Sequence, residues 1–249
     1  MIGIFDSGLG GLSAFKTLSA ACPSVDLLYY ADTAHLPIGE KSNEEILSLT
    51  KEALCFFKQR GVTRVLLACG TASAVSLQKC KELFAFPIHG IVEEGARAAV
   101  RSSRSGRITA IATPATVTAH AYRRAVLALC PNASVDELPC PSLVHAAETG
   151  DEGAVCEALS PLLESDADTL IMGCTHFPLL RDAIEALLPH MTLIDPAAET
   201  VRSLMPLLPL SKGTRKGARL FFTTGDPRVF AERASTVLQA LPSVEGLTL

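Results

Sequence analysis

The chain has 249 residues, 48% of them hydrophobic and 5% aromatic, with no Trp and a formal net charge of -4. That length suits one large domain or two modest ones with aliphatic cores, and the composition excludes a disordered segment or a stacking-rich nucleic-acid binder. No basic run is present, so no nucleic acid is expected as a partner.

Along the chain, strand-like runs alternate with helical segments, the pattern of a parallel sheet covered by helices. Strands are expected at Ile2–Phe5, Leu27–Ala31, Arg64–Ala68, Arg107–Ala112, Ser134–Leu138, Thr169–Met172, Thr192–Ile194 and Arg219–Thr223, with a short extended piece at Ile88–Ile91. Ser42 and Glu45 have capping-box spacing and open a helix whose apolar face runs through Ile46, Leu49, Ala53 and Phe57, with Gly61 as the stop. Breaks fall at Arg101–Gly106 and at Leu210–Gly217.

Cys69 and Cys174 each close a short apolar run, have a Thr one or two places on, and lead into a segment with helical periodicity. This matching placement suggests two related halves. The expected fold is therefore α/β, with two pseudo-symmetric open parallel-sheet domains flanked by helices and a site in the cleft between them. Residues 1–92 plus 206–249 would form the domain carrying Cys69, and 93–205 the domain carrying Cys174. In open α/β sheets ligands bind just past the carboxyl ends of strands. Two thiols brought there from separate halves suit one chemistry, a proton taken from one face of a carbon and returned to the other.

Asp6 interrupts the opening apolar stretch with no basic region before it, and no apolar run approaches the ~18 residues of a spanning helix. A cytoplasmic chain with no membrane association is expected, its eight cysteines held as thiols. No C-x-x-C pair or metal-ligand spacing of histidines occurs, so no metal is expected.

Asp6-Ser7-Gly8-Leu9-Gly10-Gly11 follows the first strand but has Ser13 at the third glycine position of a dinucleotide fingerprint. It reads either as an ordinary capped turn or as a strand-to-helix turn exposing Asp6 and Ser7 to a carboxylate. A helix N-terminus lowers a thiol's pKa, and both cysteines are placed for that effect. His176, two residues after Cys174, could exchange a proton with the thiol or the substrate. Asp32 and Glu148, taken alone, read as solvated or capping acids.

Together these pieces resemble the glutamate racemases. Asp6-Ser7-Gly8-Leu9-Gly10-Gly11, Tyr30-Ala31-Asp32-Thr33 with Pro37-Ile38-Gly39, Ala68-Cys69-Gly70-Thr71-Ala72-Ser73, Thr113-Pro114-Ala115-Thr116-Val117, Cys140-Pro141, Glu148 with Gly150, and Gly173-Cys174-Thr175-His176-Phe177-Pro178-Leu179-Leu180 occur in that family's order. The resemblance runs from residue 2 to about Asp195-Pro196.

It implies interconversion of L- and D-glutamate without pyridoxal phosphate or any other cofactor, supplying D-glutamate for peptidoglycan. It also implies that Cys69 deprotonates D-glutamate and Cys174 deprotonates L-glutamate. Asp6 would assist Cys69, His176 would assist Cys174, and Glu148 would be an auxiliary. Asp6, Ser7, Pro37, Ile38, Gly39, Gly70, Thr71, Thr113, Thr116, Thr175 and His176 would bind the substrate. A homodimer is left open.

Two positions depart from the family's usual pattern: Gly70 stands where Asn is usual, and Ile38 where Tyr is usual. Gly70 is either a lost substrate contact, worth about 0.5–1.5 kcal/mol, or a position whose backbone no side chain would suit. These departures keep open a racemase for another acidic amino acid such as aspartate, and a weakened, racemase-like binding protein. A redox pair is a third alternative, requiring Cα atoms less than about 7 Å apart.

Overall fold

A computed structural model describes residues 1–208 and 216–247, with Glu148 described in its backbone only. Its strands are β1 (Ile2–Asp6), β2 (Leu27–Ala31), β3 (Arg64–Leu67), β4 (Ile88–Gly90), β5 (Arg107–Ala112), β6 (Ser134–Pro139), β7 (Thr169–Met172), β8 (Thr192–Ile194), β9 (Arg219–Thr223) and β10 (Val244–Gly246). All the expected strands are present, with ends that differ by at most one residue. The addition is β10, a largely exposed edge strand whose Val-Glu-Gly carries no strand periodicity.

Two sheets form, one in the order β10-β9-β2-β1-β3-β4 and the other in the order β6-β5-β7-β8, with the described pairings parallel. The winding β2-β1-β3-β4 repeats as β6-β5-β7-β8, so the halves are pseudo-symmetric and β3 and β7 are equivalent strands. Cys69 and Cys174 follow those two strands. The C-terminal strands β9 and β10 return to the first sheet beside β2.

Both faces of each sheet are covered, which is why the strands read as continuous apolar runs and not as alternating ones. In the first sheet Ile4, Tyr29 and Leu66 face a core with Leu12, Phe15 and Leu18 of the helix Leu12–Ala21. Their neighbours Phe5, Tyr30 and Leu67 face the opposite core, with Ile46, Ala53 and Phe57 of the helix Asn43–Gln59. That helix has the expected capping box: Glu45 N–H donates to Ser42 Oγ at 3.3 Å and Ser42 N–H donates to Glu45 Oε2 at 3.0 Å. Gly61 follows with φ +71°, a left-handed stop that glycine adopts without strain. In the second sheet Leu170 and Met172 pack toward Leu143, Phe177 and Ile184, whereas Ile108 and Ile171 pack toward Ala96, Tyr122 and Val126.

The helix Pro196–Leu204 joins the halves. Its Ala197, Val201 and Leu204 share a core with Leu12 and Phe15 of the first half, and Pro196 fits where Gly95 has no Cβ. The helix Val92–Ser102 takes in the first two residues of the break at Arg101–Gly106, and the rest is the expected turn, wrapped on the Asp168 carboxylate by the N–H groups of Arg104 and Ser105. Most of the second break, residues 210–215, lies outside the described residues. No helix among the described residues is long and apolar enough to cross a membrane.

Candidate active site

The carboxyl ends of β1, β3, β5 and β7 converge on one cleft. Cys69 is the residue before the helix Gly70–Leu83, and the N–H groups of Ala68 and Cys69 donate to the Phe5 carbonyl at 2.9 and 3.3 Å. Across the cleft, Gly173 N–H donates to the Ile111 carbonyl at 2.7 Å and so fixes the segment that presents Cys174. Phe177 N–H then donates to the Cys174 carbonyl at 3.1 Å, turning the chain into the short 3-10 segment Phe177–Leu180. The α-helix Arg181–Leu187 begins only after that. The expectation that both cysteines sit at helix N-termini is therefore corrected: Cys69 does and Cys174 does not. The run Phe177-Pro178-Leu179-Leu180 has apolar periodicity but folds into the tighter turn.

A cavity of about 60 Å³ lies between the halves. Of the residues expected to bind or react, Ser7, Pro37, Ile38, Gly39, Cys69, Gly70, Thr71, Thr113, Cys174, Thr175 and His176 line it. Pro114 and Pro141, which stand in the motifs read from the sequence, complete the wall with Leu36, Glu40 and Val144, which do not. Asp6 lies beneath the cavity, fully buried, and Thr116 lies behind Thr113. The side chain of Glu148 lies outside the described residues. No Lys or Arg is among the described lining residues, and the hydroxyl-bearing Ser7, Thr71, Thr113 and Thr175 are.

The polar groups form a connected set across the two halves. Asp6 Oδ1 accepts from Gly8 N–H at 2.8 Å, and its Oδ2 accepts from Thr175 Oγ1 at 3.0 Å. Thr71 Oγ1 lies 2.9 Å from Thr113 Oγ1, which lies 3.0 Å from Thr116 Oγ1. Cys69 Sγ donates to Ser7 Oγ at 3.7 Å, and Cys174 Sγ lies 3.7 Å from His176 Nδ1. Both thiols are free, so no disulfide supports the redox alternative.

The charge state of Cys69 departs from expectation. Burial and the neighbouring Asp6 carboxylate push its thiol up to about 12, outweighing the Ala72 N–H and Ser7 that favour the thiolate. The helix N-terminus acts in the expected direction and is overruled, because desolvation disfavours the charged form more strongly. Asp6 is itself raised above its ordinary value by burial, against the opposing His176 charge and the hydrogen bonds from Gly8, Thr175 and Gly11.

A carboxylate raised on folding contributes stability that is fully present below its unfolded pKa, near 3.8, and is lost as pH rises through the folded value. Asp6→Asn removes that loss. The Tm of the native protein minus that of the variant should fall as pH is raised from about 3.8 toward neutrality. Paired thermal melts check this, and a difference that stays flat or rises with pH counts against a raised Asp6.

Two residues gain roles that sequence reading did not assign. Tyr29 Oη donates to the Gly8 carbonyl at 2.8 Å and so pins the turn carrying Asp6 and Ser7. Asp32, read as solvated or capping, is 2% exposed; its Oδ1 accepts from Thr224 Oγ1 at 2.8 Å and pairs with His35 Nδ1 at 2.7 Å. It thereby holds the turn Thr33–His35 that leads to Pro37-Ile38-Gly39. The available signal was its place, one residue past the end of β2 on a site-forming sheet.

The sequence profile of the Asp/Glu/Hydantoin racemase family matches residues 5–204. The chain is similar to a glutamate racemase of Desulforudis audaxviator, 47% identical over 209 residues that span 81% of this chain and 77% of the relative. Among solved structures it superposes on glutamate racemase isoform RacE1 of Bacillus anthracis with a TM-score of 0.95 at 33% identity, covering 100% of this chain and 97% of that one. It also superposes on the glutamate racemase of Francisella tularensis in complex with D-glutamate, with a TM-score of 0.91 at 30% identity, covering 99% and 97%. With the fold, the paired strand-end cysteines and these relatives in agreement, this chain belongs to the Asp/Glu/Hydantoin racemase family, among the glutamate racemases.

Proposed function

We propose that the protein interconverts L- and D-glutamate by a two-thiol proton transfer that uses no cofactor or metal. The carrying observation is that two buried free thiols follow equivalent strands of pseudo-symmetric halves and line one cavity. In the D-to-L direction the Cys69 thiolate takes the Cα proton, breaking C–H and forming S–H, while Cys174 S–H delivers its proton to the opposite face. The L-to-D direction reverses the roles, with no net change in electrons. A site that leaves Cys69 protonated is set for the second direction, with Cys69 as the acid. A substrate ammonium brought close favours the thiolate and eases the first.

Asp6 assists Cys69, His176 assists Cys174, and Glu148 serves as an auxiliary. The hydroxyls of Ser7, Thr71, Thr113, Thr116 and Thr175, with the backbone at Pro37, Ile38, Gly39 and Gly70, hold the carboxylates and ammonium. Fixed donors around the α-carboxylate stabilise the carbanion, and such preorganised electrostatics usually provide the largest share of catalysis. The domain division is 1–92 plus 206–249 against 93–205. The physiological reading is cytoplasmic supply of D-glutamate to peptidoglycan, with a homodimer left to direct measurement.

The test is incubation of the protein with L- or D-glutamate in heavy water after exhaustive chelation, followed by NMR of the α-proton and chiral analysis. Exchange with inversion is expected for both enantiomers, without bound pyridoxal phosphate absorbance. Parallel incubation with aspartate should show slower turnover. Faster turnover of aspartate overturns the substrate assignment, and activity lost on chelation and restored by zinc overturns the mechanism.

A further inference from the structure

Tyr29 lies fully buried in the middle of β2, its ring packed among Phe15, Phe221 and Phe230 with centroids 5.9, 6.2 and 6.1 Å away. Phenylalanine would serve that packing equally well. A buried phenolic hydroxyl needs a hydrogen-bond partner, and this one donates at 2.8 Å to the carbonyl of Gly8, 21 positions away in the turn after β1. Gly11 makes room for the approach: a Cβ there would stand 3.0 Å from Tyr29 Oη and 2.7 Å from Asp6 Cβ. The hydroxyl and the Asp6 side chain thus meet over the same bare stretch of backbone.

Gly8 is held on both sides. Its N–H donates to Asp6 Oδ1 at 2.8 Å and its carbonyl accepts from Tyr29, so the segment Asp6-Ser7-Gly8 is fixed at its far end. Within that segment stands Ser7, whose Oγ accepts from Cys69 Sγ at 3.7 Å. The path from Tyr29 therefore runs through Ser7 and Asp6 to the thiol of the first half. Cys174 is fixed separately, by Gly173 N–H on the Ile111 carbonyl at 2.7 Å and by Phe177 N–H on its own carbonyl at 3.1 Å. Burial first, then the charges of Asp6 and Cys69, holds the Tyr29 hydroxyl well above its ordinary pKa, so it remains a donor at neutral pH.

We propose that Tyr29 is a positioning residue for racemisation: its hydroxyl, through the Gly8 carbonyl, holds Ser7 and Asp6 against Cys69 and serves the proton transfer at that thiol, not the one at Cys174. This rests on the two-thiol reading above. Without the hydroxyl the buried Gly8 carbonyl loses its donor, and the turn relaxes toward another. The consequence is one-sided. The two enantiomers have equal energy in water, so kcat/KM must fall equally in both directions. The faulty side shows only in how the barrier divides between the two transfers that flank the carbanion. A higher barrier at Cys69 makes that transfer more fully rate-limiting. With D-glutamate it is the step that removes the α-proton, and with L-glutamate it follows removal by Cys174.

The experiment measures kcat/KM and the primary isotope effect with each enantiomer of glutamate deuterated at Cα, for native protein, Tyr29→Phe and Phe221→Leu. Tyr29→Phe keeps the ring and should lose about 10- to 100-fold in kcat/KM, equally for both enantiomers. Its isotope effect should rise with D-glutamate and fall with L-glutamate. Phe221→Leu loosens the same aromatic cluster without touching the hydroxyl, and should lower Tm with both isotope effects native. Isotope effects report only on folded, active molecules, so they decide the matter even where Tyr29→Phe is partly unfolded. Isotope effects in Tyr29→Phe that stay native, or that shift alike for both enantiomers, overturn the proposal. The same opposed shift in Phe221→Leu also overturns it, since packing would then be the cause. A native protein that exchanges no α-proton of glutamate in heavy water overturns the two-thiol reading instead.

Discussion

Cys69→Ala and Cys174→Ala should each abolish racemisation of glutamate, with losses of at least about 10³-fold in kcat. One positioned proton-transfer group contributes about 10²–10⁴-fold, and here the missing thiol supplies a proton position that no neighbour replaces. Ser7 is the hydroxyl that accepts from Cys69 and is too weak a base to substitute. For the same reason Cys69→Ser and Cys174→Ser should be nearly inactive.

The two alanine variants should also differ in kind. Cys69→Ala retains the thiol assigned to L-glutamate and should exchange the α-proton of L-glutamate slowly with retention, while Cys174→Ala should do so with D-glutamate. Exchange followed by NMR and chiral chromatography makes the comparison. The exposed Cys55 and Cys156 should tolerate Ser with activity intact. Native rates in either Cys69→Ala or Cys174→Ala would falsify the two-thiol mechanism.

His176→Asn should lower kcat by about 10²–10⁴-fold while leaving KM within a few-fold of native. His176 is 3% exposed, its Nδ1 lies 3.7 Å from Cys174 Sγ, and its charge acts on the buried Asp6 carboxylate. It therefore stands within reach of the thiol and near enough to the site's acid to act on it electrostatically. Asparagine keeps a polar group of similar reach near Nδ1 and cannot accept and release a proton near neutral pH. A role in proton movement predicts loss in kcat and a changed pH–rate profile. A merely structural histidine predicts a lower Tm with kcat nearly intact, and steady-state kinetics over pH with parallel melts separate the two.

Much of this molecule was legible along the chain, for a local reason. Parallel strands buried on both faces must be continuous apolar runs, and the polar residue that ends such a run marks the carboxyl edge where ligands bind. Ile2–Phe5 ending at Asp6, Arg64–Leu67 before Cys69 and Thr169–Met172 before Cys174 are runs of this kind. The capping box at Ser42 and Glu45 was visible because its partners lie three residues apart. The family resemblance rested on the same local motifs in order.

Tertiary structure alone decided the quantities that depend on distance through space. Asp6 and Thr175 are 169 positions apart and share a hydrogen bond. Cys69 is a helix-capping thiol by sequence, yet burial and Asp6 reverse the shift that its helix promotes. Cys174 precedes a helical pattern whose first turn is 3-10, so the helix it was expected to cap starts elsewhere. Gly70 read as a missing contact or a special backbone, and its φ lies outside the left-handed region. A Cβ there would stand 2.2 Å from the Gly173 carbonyl oxygen, a neighbour that local sequence could not bring beside it and that only the packing of one half on the other supplies.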